Sequence, residues 1–439
     1  MGCCFSQSLR AACTRPDALL AQPQDDLIRM VYREFGQDID RLRRAYSVRD
    51  STWNPPESPS PSWTLFRENY DEVNRTLVGV LALRWIHLGE YESFVRSQPG
   101  EVQLTRESFD WIRRFYAEVV VDADALYALI TSMIINDLGK DPQLAVDYQK
   151  VTARDIADCS HDAILLKACH EGLVPSLGRL PSQYKDDLIR AIELGATFNF
   201  GQLAQAENVP ACLVGLLRMR DSPRCFQLRF MEQLLDISGA AGHMDWTSAR
   251  KLIQPIFRSH RNAFDACQAV IAGDLDLRSA YNVILIRQAE TLHNRGFRLL
   301  QVEGSECDRA LVRLLCMGNV TILEMAQLYE NTWNDLDDPV REALVNSLNM
   351  DGQKGQPAVQ PTYMPAFLSR ITDGRALAFA FRFLCRLMTA TELQDPSAVV
   401  IERSVLGVLK QHVENGEFDR DPTILELVSV PKGVVAQTA

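Results

Sequence analysis

From Trp63 almost to the end of the chain, apolar residues recur at steps of three and four, and alternation at every second residue is nearly absent. Steps of three and four gather apolar side chains on one face of an α-helix, whereas a half-buried strand needs a period of two. The pattern predicts an all-α protein. Helices are expected near 65–96, 105–119, 123–136, 142–150, 161–171, 183–194, 200–206, 210–218, 223–238, 246–272, 277–295, 305–316, 320–332, 338–348, 374–390 and 398–414. Boundary residues agree with several of these. Thr105 and Ser160 suit N-caps, with Glu107 and Asp162 favourable to the first-turn dipole. Pro142, Pro210 and Pro339 suit first-turn positions, and Gly172 and Gly195 suit helix ends.

A chain of 439 residues is longer than one hydrophobic core sustains, so one large helical domain or two smaller ones are expected. The apolar fraction of 46% and charged fraction of 23% are those of a folded globular chain. The most apolar run, from Ala125 to Ile135, is too short to span a bilayer and reads as a buried helix. No charged start followed by an apolar run marks a secretory signal. A net charge of −11 argues against nucleic-acid binding, which needs clustered cations to neutralise phosphate. Arg41, Arg43 and Arg44 read instead as a helix face. The 11 cysteines are scattered with no CxxC pair, so reduced thiols in apolar surroundings are expected rather than a disulfide framework.

The first residues, Met1-Gly2-Cys3-Cys4-Phe5-Ser6, match the pattern for N-myristoylation at Gly2. One myristoyl chain holds a protein only marginally, and Cys3 and Cys4 offer a second, palmitoyl anchor. Few cations flank them, so the anchor is expected to be acyl rather than electrostatic. The expected organisation follows from this start. Residues 1–23 form a lipidated flexible tail, and 24–50 an amphipathic arm helix. Its Ile28, Tyr32, Phe35, Ile39, Leu42 and Tyr46 form a seam. That seam either packs on the body or docks a protein partner at 24–48. Residues 51–62 form a Pro/Ser linker and 63–350 a main helical domain. A loop at 351–365 leads to a C-terminal helical pair and tail at 366–439. The protein is expected at the cytoplasmic face of a membrane.

The most specific internal motif is Asn136-Asp137-Leu138-Gly139-Lys140, which closes the apolar helix Leu126 to Ile135. It resembles the His-Asp doublet of the HD-domain superfamily over about 108–246. The resemblance implies an all-helical fold, one or two bound metal ions, and hydrolysis of phosphate esters or, in some members, oxygenation. Asp137 matches the doublet aspartate and Lys140 the lysine after it. Asn136 stands in place of the histidine, and an amide oxygen is a weaker transition-metal ligand than an imidazole nitrogen. The preceding helix, Ser108 to Val119, has no histidine, and His87 lies far upstream. The resemblance is thus to a diverged site.

Other groups are candidates to rebuild it. A divalent metal needs His or carboxylate ligands converging from different helices, and Asp137, His161, His243 and Asp245 form that candidate set. Lys140 would neutralise substrate charge, and Asp162 or Glu171 would act as general base. Each has a plainer reading. Gly139 and Lys140 close a helix C-terminus, Asp162 serves a helix dipole, and His243 bonds a backbone carbonyl in the Gly-rich turn 238–242. No P-loop, GxGxxG or GxSxG motif occurs. Two functions stay open: metal-dependent hydrolysis or oxygenation, and a non-catalytic membrane-anchored scaffold. Convergence of Asp137, His161 and His243 separates them.

Overall fold

The computed structural model describes residues 8–46, 56–157, 159–390 and 396–435. Its α-helices in chain order begin with α1 (Leu9–Ala12), α2 (Pro16–Leu20), α3 (Gln24–Leu42), α4 (Pro61–Phe66), α5 (Asp71–Leu88), α6 (Tyr91–Val95), α7 (Arg106–Val119) and α8 (Ala123–Ile135). Next come α9 (Pro142–Thr152), α10 (His161–His170), α11 (Ser182–Thr197), α12 (Phe200–Ala204), α13 (Pro223–Gly239), α14 (Gln254–Ala272) and α15 (Leu277–His293). The rest are α16 (Glu306–Met317), α17 (Leu323–Asn334), α18 (Asp338–Leu348), α19 (Met364–Leu368), α20 (Gly374–Thr389), α21 (Leu406–Glu414), α22 (Glu417–Arg420) and α23 (Ile424–Leu427). The all-α class is therefore correct. One small sheet is added by β1 (Ala358–Gln360), β2 (Val400–Glu402) and β3 (Val434–Val435), in the order β1-β2-β3. Ala358 pairs with Val400 in parallel, and Ile401 with Val435 antiparallel. Segments this short carry no alternation long enough to read, so the sequence of 351–365 predicts only a loop.

The chain divides into two compact units, one from 1–196 and 221–259, the other from 197–220 and 260–439. This differs from a main domain at 63–350, and it assigns the 197–220 part of the HD-like region to the second unit. The difference has a simple cause. Linker composition marks local breaks, whereas this division depends on which distant segments pack together.

In the first unit, α5 is buried along nearly its whole length, from Glu72 to Ile86. Helix α13 packs along it so closely that a Cβ on Gly239 would lie 2.2 Å from the carbonyl oxygen of Arg75. Only glycine permits that approach. Helix α8, capped by Asp122 accepting from the Ala125 amide at 2.7 Å, is buried from Ala125 to Ile135. Helix α7 starts at the expected N-cap, Thr105, which accepts from the Ser108 amide.

The N-terminal region departs from the expected tail, arm and linker. Residues 8–23 are folded. Ser8 caps α1, Arg10 pairs with Asp124 at 3.0 Å, and Leu9, Cys13, Leu19 and Leu20 are buried. Helix α3 is part of the body, with Leu27, Ile28, Val31, Phe35, Ile39 and Leu42 buried and Phe35 marking a kink. Arg41 reaches Asp141 at 3.1 Å and Asp147 at 2.8 Å, and Phe35 stacks on Tyr127. Of the seam proposed for a partner, only Tyr46 is well exposed. The Pro/Ser stretch ends early, because Ser60 caps α4 and accepts from the Trp63 amide. Gly2, Cys3 and Cys4 lie outside the described residues. No helix among the described residues is long and apolar enough to cross a membrane.

In the second unit, α16 carries two buried arginines stacked on Tyr281. Arg313 donates to the carbonyls of Ala206, Leu348 and Asn208, which ties residues 206–208 to the helices around them. Glu207 accepts from Gln202 and the Tyr363 amide, and burial pushes its carboxyl up to about 7.

Candidate functional site

The Asn136-Asp137 pair follows the apolar helix α8, as the sequence indicated, and a 3-10 turn, Leu138–Lys140, carries it onward. Gly139 is essential to what comes next. A Cβ there would sit 1.8 Å from the carbonyl oxygen of His161, so only a bare backbone lets the start of α10 pack on the turn. That contact brings His161 and Asp162 into the neighbourhood of Asp137.

A lattice of charges surrounds this point. The Lys140 ammonium lies 2.9 Å from the Asp137 carboxylate and 3.3 Å from that of Glu72 on α5. Arg75, one turn along α5, reaches the same Glu72 oxygen at 3.1 Å. From α13, Arg229 donates to the Asn136 amide oxygen at 3.2 Å and to Glu232. Asp236, one turn beyond Glu232, completes the set and feels both Asp137 and Lys140.

The protonation of these groups follows from burial set against neighbouring charge. Burial pushes Asp137 up, but the ammonium of Lys140 and the charges of His161 and Arg75 more than offset it, holding the carboxyl below its usual range. Burial draws Lys140 down, yet Asp137, Glu72 and Asp236 raise it above the ordinary lysine value, so it stays charged. Glu72 is pushed up by burial and then by Asp137, against Lys140 and Arg75. Burial also lifts Glu232 to about 8 and Asp236 to about 6. Neutralising part of the acid is what a buried group of four carboxyls and three cations requires. Two carboxylate oxygens, Glu72 Oε2 and Glu232 Oε1, have no hydrogen-bond partner among the described residues.

The remaining candidates divide between the edge of this centre and places away from it. His161 faces its neighbour Asp162, with Nε2 at 3.6 Å from the carboxylate. Ser160 caps α10 by accepting from the Ala163 amide, so Asp162 has the first-turn role that its position suggested. Glu171 is exposed at the far end of α10, about 15 Å along the axis from His161. His243 is half-buried in the turn after α13. Asp245 is buried but committed: it accepts from the Thr247 amide at 2.9 Å and hydroxyl at 2.7 Å, and from Ser97. The structure therefore brings together Asp137, Lys140, His161 and Asp162, and not Glu171 or Asp245.

This donor set does not fit a divalent ion. Among the described residues, no group of three or more His, Cys, Asp or Glu is placed to hold one. Glu72 and Glu232 each keep one oxygen without a hydrogen-bond partner, but their other oxygens and Asp137 already pair with Lys140, Arg75 and Arg229, whose charges would repel a second cation. Sequence reasoning missed Glu72, Arg75, Arg229, Glu232 and Asp236. A signal was present, since Glu72 and Arg75, then Arg229, Glu232 and Asp236, stand at helical spacing in otherwise apolar segments. Charges on such a stripe are costly unless they meet partners.

Fold and site together define a helical protein with an internal ion-pair centre made by α5, α8, the 138–140 turn and α13. Residues 28–425 match the model of a family of unknown function, DUF6829, and the chain belongs to that family. No curated protein matches it, and no solved structure does.

Proposed function

We propose that this is a lipid-anchored helical protein whose diverged HD-type centre has exchanged a metal ion for an internal cation, and which acts as a non-catalytic scaffold or adaptor for protein partners at the cytoplasmic face of a membrane. One observation carries the reading. The Lys140 ammonium bonds to Asp137 and Glu72, where a metal-dependent hydrolase or oxygenase would need those carboxylates free. The Asn136 amide, held by Arg229, suits the same role: it accepts a hydrogen bond well and binds a transition metal poorly. The membrane tether rests on Gly2 with Cys3 and Cys4, the two-chain logic of stable acyl anchoring.

Metal analysis of the purified protein tests the centre, together with thermal melts taken with a chelator and with added zinc or manganese. The expected result is no stoichiometric metal and a melting temperature unmoved by either treatment. Stoichiometric metal that disappears in a folded Asp137→Ala variant would overturn the scaffold reading in favour of a metal-dependent enzyme.

A further inference from the structure

A cleft of about 650 Å³ opens on the first unit between α2, α5 and α7. Its lining includes Pro16 of α2, Ile86 and His87 of α5, and Asp110, Arg113 and Arg114 of α7. The rotation of α7 is fixed from its other side. Phe109, Ile112, Phe115 and Val119 are buried, and Phe115 meets Phe230 of α13 edge to face. Residues 113 and 114 are thereby turned outward, and both are exposed.

The two arginines are held differently. Arg113 donates Nε to the Ile86 carbonyl at 3.1 Å and lies over Gly89, where a Cβ would meet its guanidinium at 3.0 Å. That leaves its two terminal nitrogens for something else. Arg114 has no partner among the described residues. The floor beside them is fixed as well. His87 bridges the Tyr116 hydroxyl at 3.1 Å and the Asp17 carboxylate at 2.9 Å. Asp17 accepts, so Nε2 carries the hydrogen and Nδ1 receives the one from Tyr116. This bridge pins α2 to α5 and α7 and gives the cleft its third wall. The lining holds two guanidiniums against the single carboxylate of Asp110, on a chain whose net charge is −11.

We propose that this cleft binds a phosphate-bearing anion through Arg113 and Arg114, with an anionic lipid headgroup as the source that the tether favours. A guanidinium fork matches phosphate oxygens in geometry, and a prefixed Arg113 gives up little freedom on binding. The link to lipid rests on the membrane reading above. Ser8 is six residues from Gly2, a reach of at most roughly 20 Å, and the Pro16 wall follows eight residues later. An anchored chain would hold the cleft close to headgroups at high effective concentration.

The test uses the full chain carrying Gly2→Ala, so that acylation plays no part. Binding is measured by co-sedimentation with vesicles of phosphatidylcholine alone and of phosphatidylcholine with phosphatidic acid, and by titration with inorganic phosphate. Binding to the phosphatidic acid vesicles, with phosphate competing and neutral vesicles failing, is expected. The double change Arg113→Gln and Arg114→Gln should weaken it by roughly 25-fold, about fivefold for each cation lost near a charged surface. Asp110→Asn should strengthen it. Should the double variant fail to fold, Arg114→Gln alone decides, because Arg114 has no partner to lose. Binding of phosphate without the vesicles upholds the site and assigns it to a soluble phosphorylated ligand. Absence of both, or a double variant that binds like its parent, overturns the proposal. Failure of the lipid anchor would show separately, as acylated protein that ignores neutral vesicles.

Discussion

At the scale of single residues, Lys140 decides the character of the centre. It is the shared cation of Asp137 and Glu72, and removing one member of a buried pair leaves the others uncompensated. Lys140→Met is expected to destabilise the protein by about 3–5 kcal/mol in urea titrations. A change within experimental error would mean that the lattice is better solvated than its burial implies. The raised carboxyls carry a second expectation. A carboxyl that keeps its proton when folded and sheds it when unfolded stabilises the fold at low pH and loses that contribution as pH rises through its folded pKa. Asp236, Glu207 and Glu232, raised by burial to about 6, 7 and 8, spread that loss from about pH 4, where unfolded carboxyls titrate, up to about pH 8. Asp137 acts in the opposite sense. Its depressed pKa gives stability that is lost only on strong acidification. Unfolding free energy should therefore fall between about pH 5 and pH 8, and Glu232→Gln should flatten the upper part of the slope. A slope unchanged by that substitution would remove Glu232 from the account.

At the scale of elements, α3 carries the sharpest contrast. Its apolar seam was legible, but a seam says only that one face wants covering. What covers α3 is the body of its own unit, through Phe35 on Tyr127 and Arg41 on Asp141. Phe35→Ala should accordingly cost about 3–5 kcal/mol of global stability by emptying a packed site. A free docking arm would show almost no loss. The caps tell the complementary story. Thr105 and Ser160 were readable because N-capping is a local bond between a side chain and an amide three residues on. Nothing local marks Glu72, Arg75, Arg229, Glu232 and Asp236 as one group, since they come from two helices far apart in sequence that meet along a glycine-lined crossing.

At the scale of the whole molecule, the tether and the folded body are separable claims. Acylated protein is expected to sediment with neutral phosphatidylcholine vesicles and Gly2→Ala protein to stay in the supernatant, because acyl chains are the proposed anchor and that surface offers no charge to attract it. Equal sedimentation of the two would refute the acyl anchor. The all-α class and most helices were fixed by the sequence itself, through apolar periodicity, prolines in first turns and local caps. So was the position of Asn136-Asp137 after an apolar helix, with the lipidation motif far upstream. Tertiary structure alone decided the two-unit division, the folding of residues 8–46 into the body, and the three short strands. It also decided that Asp137 meets Lys140, Glu72 and the α13 charges rather than Asp245. The reason is range. A helical period or a cap is set by neighbours three or four residues apart, whereas the charge centre exists only once α5, α8 and α13 have packed together.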